Sequence, residues 1–210
     1  MLSEVRAAFP AFSDRFEGYC PYPYTDIVGL LTVGRGNLID GGLRRESASD
    51  PTGPPEFDAA ITLPFEIDGA PASKLAIMQG CFDVKHAWPH IQSVGCAAIT
   101  KLRLPPAAVD ALTFQTLDRM WASCVAYFPD VEDWVAPAQL GLLSMCWAAG
   151  GAFEIGFPKF DAAAHTQDWN TCAVECLMLK PPVPTQRNAM NVRLFKAAAV
   201  GTSLSEVLST

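Results

Sequence analysis

The chain has 210 residues and a formal net charge of -7, with 50% of its residues apolar and 18% charged. That length suits one medium domain or two small lobes with a substantial core, and the composition is that of a folded globular chain, not a disordered one. The acidic balance speaks against a nucleic-acid binder, which needs a basic face, and supplies no general attraction to anionic membranes or cell wall.

No apolar run approaches membrane-span length, so no membrane association is expected. The N-terminus, MLSEVRAAFP, lacks the charged and apolar regions of a signal peptide, and the expectation is a protein made in the cytoplasm. Cysteine usage is seven, an odd number: Cys20, Cys81, Cys96, Cys124, Cys146, Cys172 and Cys176. With no C-x-x-C pair and several in apolar runs, they read as buried free thiols. Cys172 and Cys176 share a helix face, but no His or further Cys stands at ligand spacing, so no metal site is expected.

Leu2, Val5, Phe9, Phe12 and Phe16 form a helical apolar stripe with Pro10 inside it. Proline at a first turn places a short helix from Pro10 to Glu17, with Leu2 to Phe9 as a separate lead-in and Gly18 as the left-handed terminator. Residues 17 to 36 then read EGYCPYPYTDIVGLLTVGRG. The pattern predicts a Pro/Tyr-rich loop followed by a glycine-punctuated β-hairpin over 24–38. Such a geometry hangs one carboxyl, Glu17, on a helix end and a second, Asp26, on the hairpin across a groove. Two carboxyls in unlike environments are the equipment of glycoside hydrolysis, one held neutral as an acid and one ionised to activate water. The plainer reading is a capped helix and a hairpin with surface carboxylates.

Residues 39 to 56, IDGGLRRESASDPTGPPE, read as an exposed loop, and residues 61–69 as a short strand and turn. Ser73 caps a helix over Lys74 to Ala87. His86, Trp88 and His90 follow, either as a sugar-stacking cluster or, the weightier reading, as local packing. Pro105-Pro106 opens a long helix to about Phe128 that links two lobes, and Pro129 ends it. Residues 138 to 149, AQLGLLSMCWAA, are apolar nearly all round and belong at the centre of a helical bundle, with Gly150-Gly151 as the stop. Short helices are predicted from Phe160 to His165 and from Trp169 to Leu177, the second preceded by Asp168 or Gln167. A last helix runs from about Gln186 to Val200.

The frame Glu17-Gly18, Tyr24-x-Asp26-x-x-Gly29-x-x-Thr32-x-Gly34-x-Gly36 resembles the catalytic signature of the bacteriophage-type lysozymes (muramidases), Glu-x8-Asp-x5-Thr. LLSMCWAAGG, GFPKF, DWNTCAVEC and PTQRNAMNVRLF look like the buried helix, Gly-Phe turn, Trp-bearing helix and Arg-containing final helix of the same enzymes. The likeness covers most of the chain except about 40 to 100, read as an insertion on the small lobe. It implies an α+β, mostly helical, lysozyme-like fold, with a small N-terminal lobe over 1–104 bearing the hairpin and a larger helical lobe over 105–210.

What the resemblance implies about function is an N-acetylmuramidase that cleaves the β-1,4 bond between N-acetylmuramic acid and N-acetylglucosamine with inversion and no cofactor. Glu17 would protonate the glycosidic oxygen, Asp26 would position and activate a water, and Thr32 would hold that water. Tyr24, Leu38 and Trp147 would line the substrate groove, although Leu38 and Trp147 read equally well as core. Lys180, Arg187, Arg193 and Lys196 lie in a stretch without acidic residues, and Arg187 is the candidate contact for a muropeptide carboxylate, against the alternative of a solvated helix face. Asn37 departs from the pattern, standing where relatives often carry His. The implied partners are peptidoglycan glycan strands, with an immunity protein or a tail or secretion component beside them, and the implied site of action is the wall in the periplasm of a host or target bacterium. Two other classes compete: a catalytically silent lysozyme-fold module of a phage tail or secretion apparatus, and a cysteine amidase or peptidase using His86, His90 or His165.

Overall fold

The computed structural model describes residues 1–40, 57, 59–91, 93–180 and 182–209. In chain order the elements are α1 (Ser3–Glu17), β1 (Cys20–Thr25), β2 (Leu31–Gly34), β3 (Asn37–Leu38), β4 (Glu66–Ile67), β5 (Ala70–Pro71), α2 (Lys74–Ala87), α3 (Pro106–Tyr127), α4 (Ala136–Ala149), α5 (Phe153–Gly156), α6 (Pro158–His165), α7 (Trp169–Glu175), α8 (Thr185–Val200) and α9 (Leu204–Ser209). The chain is mostly helical with two small antiparallel sheets, an α+β class. It divides into two compact units, one of residues 17–115 and one of residues 1–16 with 116–210. No described helix is long and apolar enough to cross a membrane.

The first unit carries the sheet β1-β2-β3. Tyr24 pairs with Thr32 and Thr25 with Leu31, while Cys20 pairs with Gly34, so β1 bulges over its middle. The segment expected as a Pro/Tyr-rich loop is therefore a strand. Pro21 and Pro23 have no N–H for the ladder, and the Pro21 carbonyl instead accepts the Leu104 N–H at 2.7 Å. The exposed loop expected from residue 39 fails at its start, because Ile39 and Asp40 are buried. Both donate their N–H groups to the Leu31 carbonyl. The rest of that expectation, residues 41–56, lies outside the described residues.

Farther along, β4 and β5 form a tight hairpin whose turn residues Asp68 and Gly69 both have positive φ, as a type I′ turn requires. The Ser73 side chain accepts the Ala76 N–H at 3.2 Å and caps α2. This helix turns Ile77, Cys81 and Val84 into a core shared with Leu31, Val33, Phe65, Leu102 and Val109. Lys85, also on α2, contacts the carboxylate of Asp40, whose side chain is only 3% exposed.

In the second unit α1 is one helix across Pro10, not the short helix and lead-in expected. A mid-helix proline costs about 3 kcal/mol through the lost N–H and the ring clash. Burial of Val5, Phe9 and Phe12 along one continuous stripe offsets that cost, because each such side chain contributes about 1.5–3 kcal/mol. Residues Ala136 to Cys146 of α4 are all buried, as an all-round apolar helix requires. Gly150, with φ 76°, ends it.

α4 packs against α8 through Gly141, where an added Cβ would stand 2.8 Å from the Phe195 ring. Phe195 is fully buried and cannot swing away. Gly141→Ala is therefore expected to destabilise the protein by about 1–3 kcal/mol through overpacking, read as a lower denaturant midpoint at unchanged slope. Asp168 caps α7 through the Thr171 N–H at 3.1 Å. α9 was not anticipated, although Ser203 and Glu206 form a reciprocal capping box at its start.

Candidate functional site

The site grows from the turn between β1 and β2. Asp26 follows the last residue of β1, and its Oδ1 accepts the N–H groups of Val28 at 2.9 Å and Leu30 at 2.8 Å. Its own N–H donates to the Leu30 carbonyl at 3.0 Å. The Thr32 hydroxyl donates to that same carbonyl at 3.1 Å. One peptide unit, Leu30, thus ties the Asp26 carboxylate and the Thr32 hydroxyl into a single frame. Oδ1 of Asp26 is committed to the turn, and the half-buried carboxylate keeps Oδ2 as its second acceptor.

Gly29 in this turn has φ 82°, a left-handed conformation that glycine adopts without strain. It also admits the Trp88 indole, whose ring would lie 3.0 Å from any added Cβ. Trp88 is thereby a wall of the turn that carries Asp26. His86 stacks on Phe82 and its Nδ1 lies 3.1 Å from the Phe82 carbonyl.

Thr32 is the register partner of both Tyr24 on β1 and Leu38 on β3. Directly paired residues present their side chains on one face of a sheet, so Tyr24, Thr32 and Leu38 form one rung. Leu38 is 56% exposed, whereas Tyr24 and Thr32 are buried. The Tyr24 phenol is pushed well above its ordinary range, first by burial and then by the Cys20 thiol and the carboxylates of Glu17 and Asp26, while the Gly36 N–H opposes the shift by bonding the phenol oxygen. One buried hydroxyl thus feels both carboxyl groups. Glu17 is the half-buried last residue of α1, and Gly18 follows it with φ 69°.

The turn between β2 and β3 is held from outside the sheet. Arg35 donates to Asp110 on α3 at 2.7 Å, and its guanidinium lies 5.2 Å from the centre of the Tyr19 ring. Asn37 is buried, and its Nδ2 reaches the Val33 carbonyl at 3.4 Å. Asp40 accepts the Leu31 N–H at 2.9 Å, so the Asp40–Lys85 contact pins the start of the strand that bears Thr32. No sequence signal marked that pair.

Glu17, Tyr24, Asp26, Thr32 and Leu38 all belong to the unit of residues 17–115, whereas Trp147 and Arg187 belong to the other. Trp147 is half-buried with its ring centre 4.9 Å from that of Phe9. Arg187 is 4% exposed, donates to the Ser144 carbonyl at 3.1 Å and lies over the Phe16 ring at 4.7 Å. It is a core residue of α8 and not part of a solvated helix face.

No cluster of three or more His, Cys, Asp or Glu side chains among the described residues could hold a metal ion. Cys172 and Cys176 are fully buried, and burial pushes each thiol up to about 12, which keeps them protonated. No protein-family model matches the chain, and no curated protein matches it.

Proposed function

We propose that this protein is a peptidoglycan hydrolase of the bacteriophage-lysozyme kind, an N-acetylmuramidase acting on the β-1,4 bond between N-acetylmuramic acid and N-acetylglucosamine. The observation that carries the reading is the Leu30 peptide that ties Asp26 to Thr32, with Tyr24 paired to Thr32 and its phenol raised first by burial and then by Cys20, Glu17 and Asp26. Three residues with the spacing of a glycosidase signature are thereby gathered about one rung of one small sheet.

In this reading Glu17 protonates the departing glycosidic oxygen. Asp26, with Oδ1 fixed by the turn, accepts from a water through Oδ2. The Thr32 hydroxyl gives its hydrogen to Leu30 and uses its lone pairs to hold the same water. Attack from the far side of the sugar inverts the anomeric centre, which calls for carboxyl groups roughly 6.5–9.5 Å apart. A lysozyme-like fold, glycan strands as partner and action on the wall of a host or target bacterium belong to the same proposal.

The turn geometry supplies a clean test. Asp26→Asn keeps an oxygen that can accept the Val28 and Leu30 N–H groups but removes the charge. It is expected to leave the circular dichroism spectrum unchanged and to lower reducing-end release from purified sacculi by ~10²-fold or more. Asp26→Ala is expected to lose the turn bonds as well and to melt earlier. Wild-type protein that binds sacculi yet releases no reducing ends would establish the silent module instead.

A further inference from the structure

Cys124 stands in the last turn of α3 and Cys146 in the last turn of α4. Both are buried, and their Sγ atoms lie 3.6 Å apart. Both also line a cavity of about 360 Å³. Its rim includes the exposed residues Arg119, Ser123, Gly150 and Gly151, and its wall includes the buried Phe128 and Phe153. The two buried sulfurs thus belong to residues that line an open cavity.

We propose that Cys124 and Cys146 are a thiol-modification site, oxidised to an intramolecular disulfide by a small disulfide of the glutathione class admitted through this cavity. The Cys124 thiolate attacks one sulfur of the reagent R–S–S–R, forming a Cys124–S–S–R bond and releasing R–S⁻. Cys146 gives up its proton to solvent, and its sulfur attacks Cys124 Sγ, expelling the second R–S⁻. Two protein thiols are oxidised and one small disulfide is reduced to two thiols.

Two features favour this reaction. The hydrogen bond between the two thiols holds Cys124 below its ordinary range, while the same contact and burial raise Cys146. A disulfide needs its sulfurs at about 2.05 Å, and both residues sit in final helical turns, where a small shift disturbs few backbone hydrogen bonds. Other thiols are less suited: burial and the nearby Asp40 push Cys81 up to about 12. The product joins positions 22 apart in sequence and restricts the unfolded chain.

The test uses the full chain, reduced and then incubated with oxidised glutathione. Two of the seven thiols are expected to disappear from an Ellman titration, with a cross-linked peptide containing positions 124 and 146 in the mass spectrum. Tm is expected to rise by roughly 5–10 °C over the reduced form. Cys146→Ser is expected to stop at a single glutathione adduct on Cys124. Seven surviving thiols, a bridge mapped to Cys172 and Cys176, or wild-type protein halted at the mixed adduct would each overturn the proposal. None of these readouts depends on hydrolase activity.

Discussion

For the muramidase proposed above, Glu17→Gln is expected to yield a folded protein without hydrolysis of cell wall. The amide matches the carboxyl in size and has a similar helix propensity, so the end of α1 should form as before. The helix is held by burial of Val5, Phe9 and Phe12, none of which the substitution touches. In the proposed mechanism what is lost is the proton for the leaving oxygen, and general acid catalysis contributes ~10²–10⁴-fold in rate. The measurement is reducing-end release from purified sacculi, with thermal melting as the control for folding. Undiminished hydrolysis by a folded Glu17→Gln protein would remove Glu17 from the mechanism and the muramidase reading with it.

The largest effect on stability is expected at Lys85. Its ammonium contacts Asp40, and their side chains are 16% and 3% exposed. Lys85→Ala leaves a carboxylate in the core of the hairpin unit without its counter-charge, and removal of one partner of a buried pair typically costs 3–5 kcal/mol. The damage has a direction. Asp40 also accepts the Leu31 N–H, so a carboxylate drawn toward solvent pulls on the strand that carries Thr32. Denaturant unfolding should show a sharply lower midpoint, and hydrogen exchange at Leu31 should accelerate. The double variant Asp40→Asn with Lys85→Met should recover most of the loss, because the neutral amide can still accept from Leu31 and no charge remains buried. If Lys85→Ala unfolds at the wild-type midpoint, the pair is not holding the strand.

The candidate site was partly legible. Glu17, Asp26 and Thr32 could be singled out by type and spacing, and the glycines between them marked a turn. That the Leu30 peptide joins Asp26 to Thr32, and that a buried Tyr24 feels both carboxyl groups, could not be read from spacing, since each depends on strand register. Arg187 shows the opposite case. A cation in a stretch without acids suggested a ligand contact, yet its guanidinium lies against Phe16 and the Ser144 carbonyl in the core. Net charge along a sequence says nothing about which side of a helix turns inward.

Local signals determined the elements that local energetics control. Ser73 before α2, the all-apolar run of α4 with its glycine stop, and a cap at Gln167 or Asp168 before α7 each appear where caps and periodicity placed them, because those interactions span only a few residues. Tertiary packing decided the rest. It carried α1 through Pro10 by burying one stripe, turned a proline-rich stretch into bulged β1, and joined Asp40 to Lys85 across 45 positions. In each of these the deciding energy comes from groups distant in sequence. A buried contact can outweigh a local preference of about 3 kcal/mol or less, and no window of a few residues contains it.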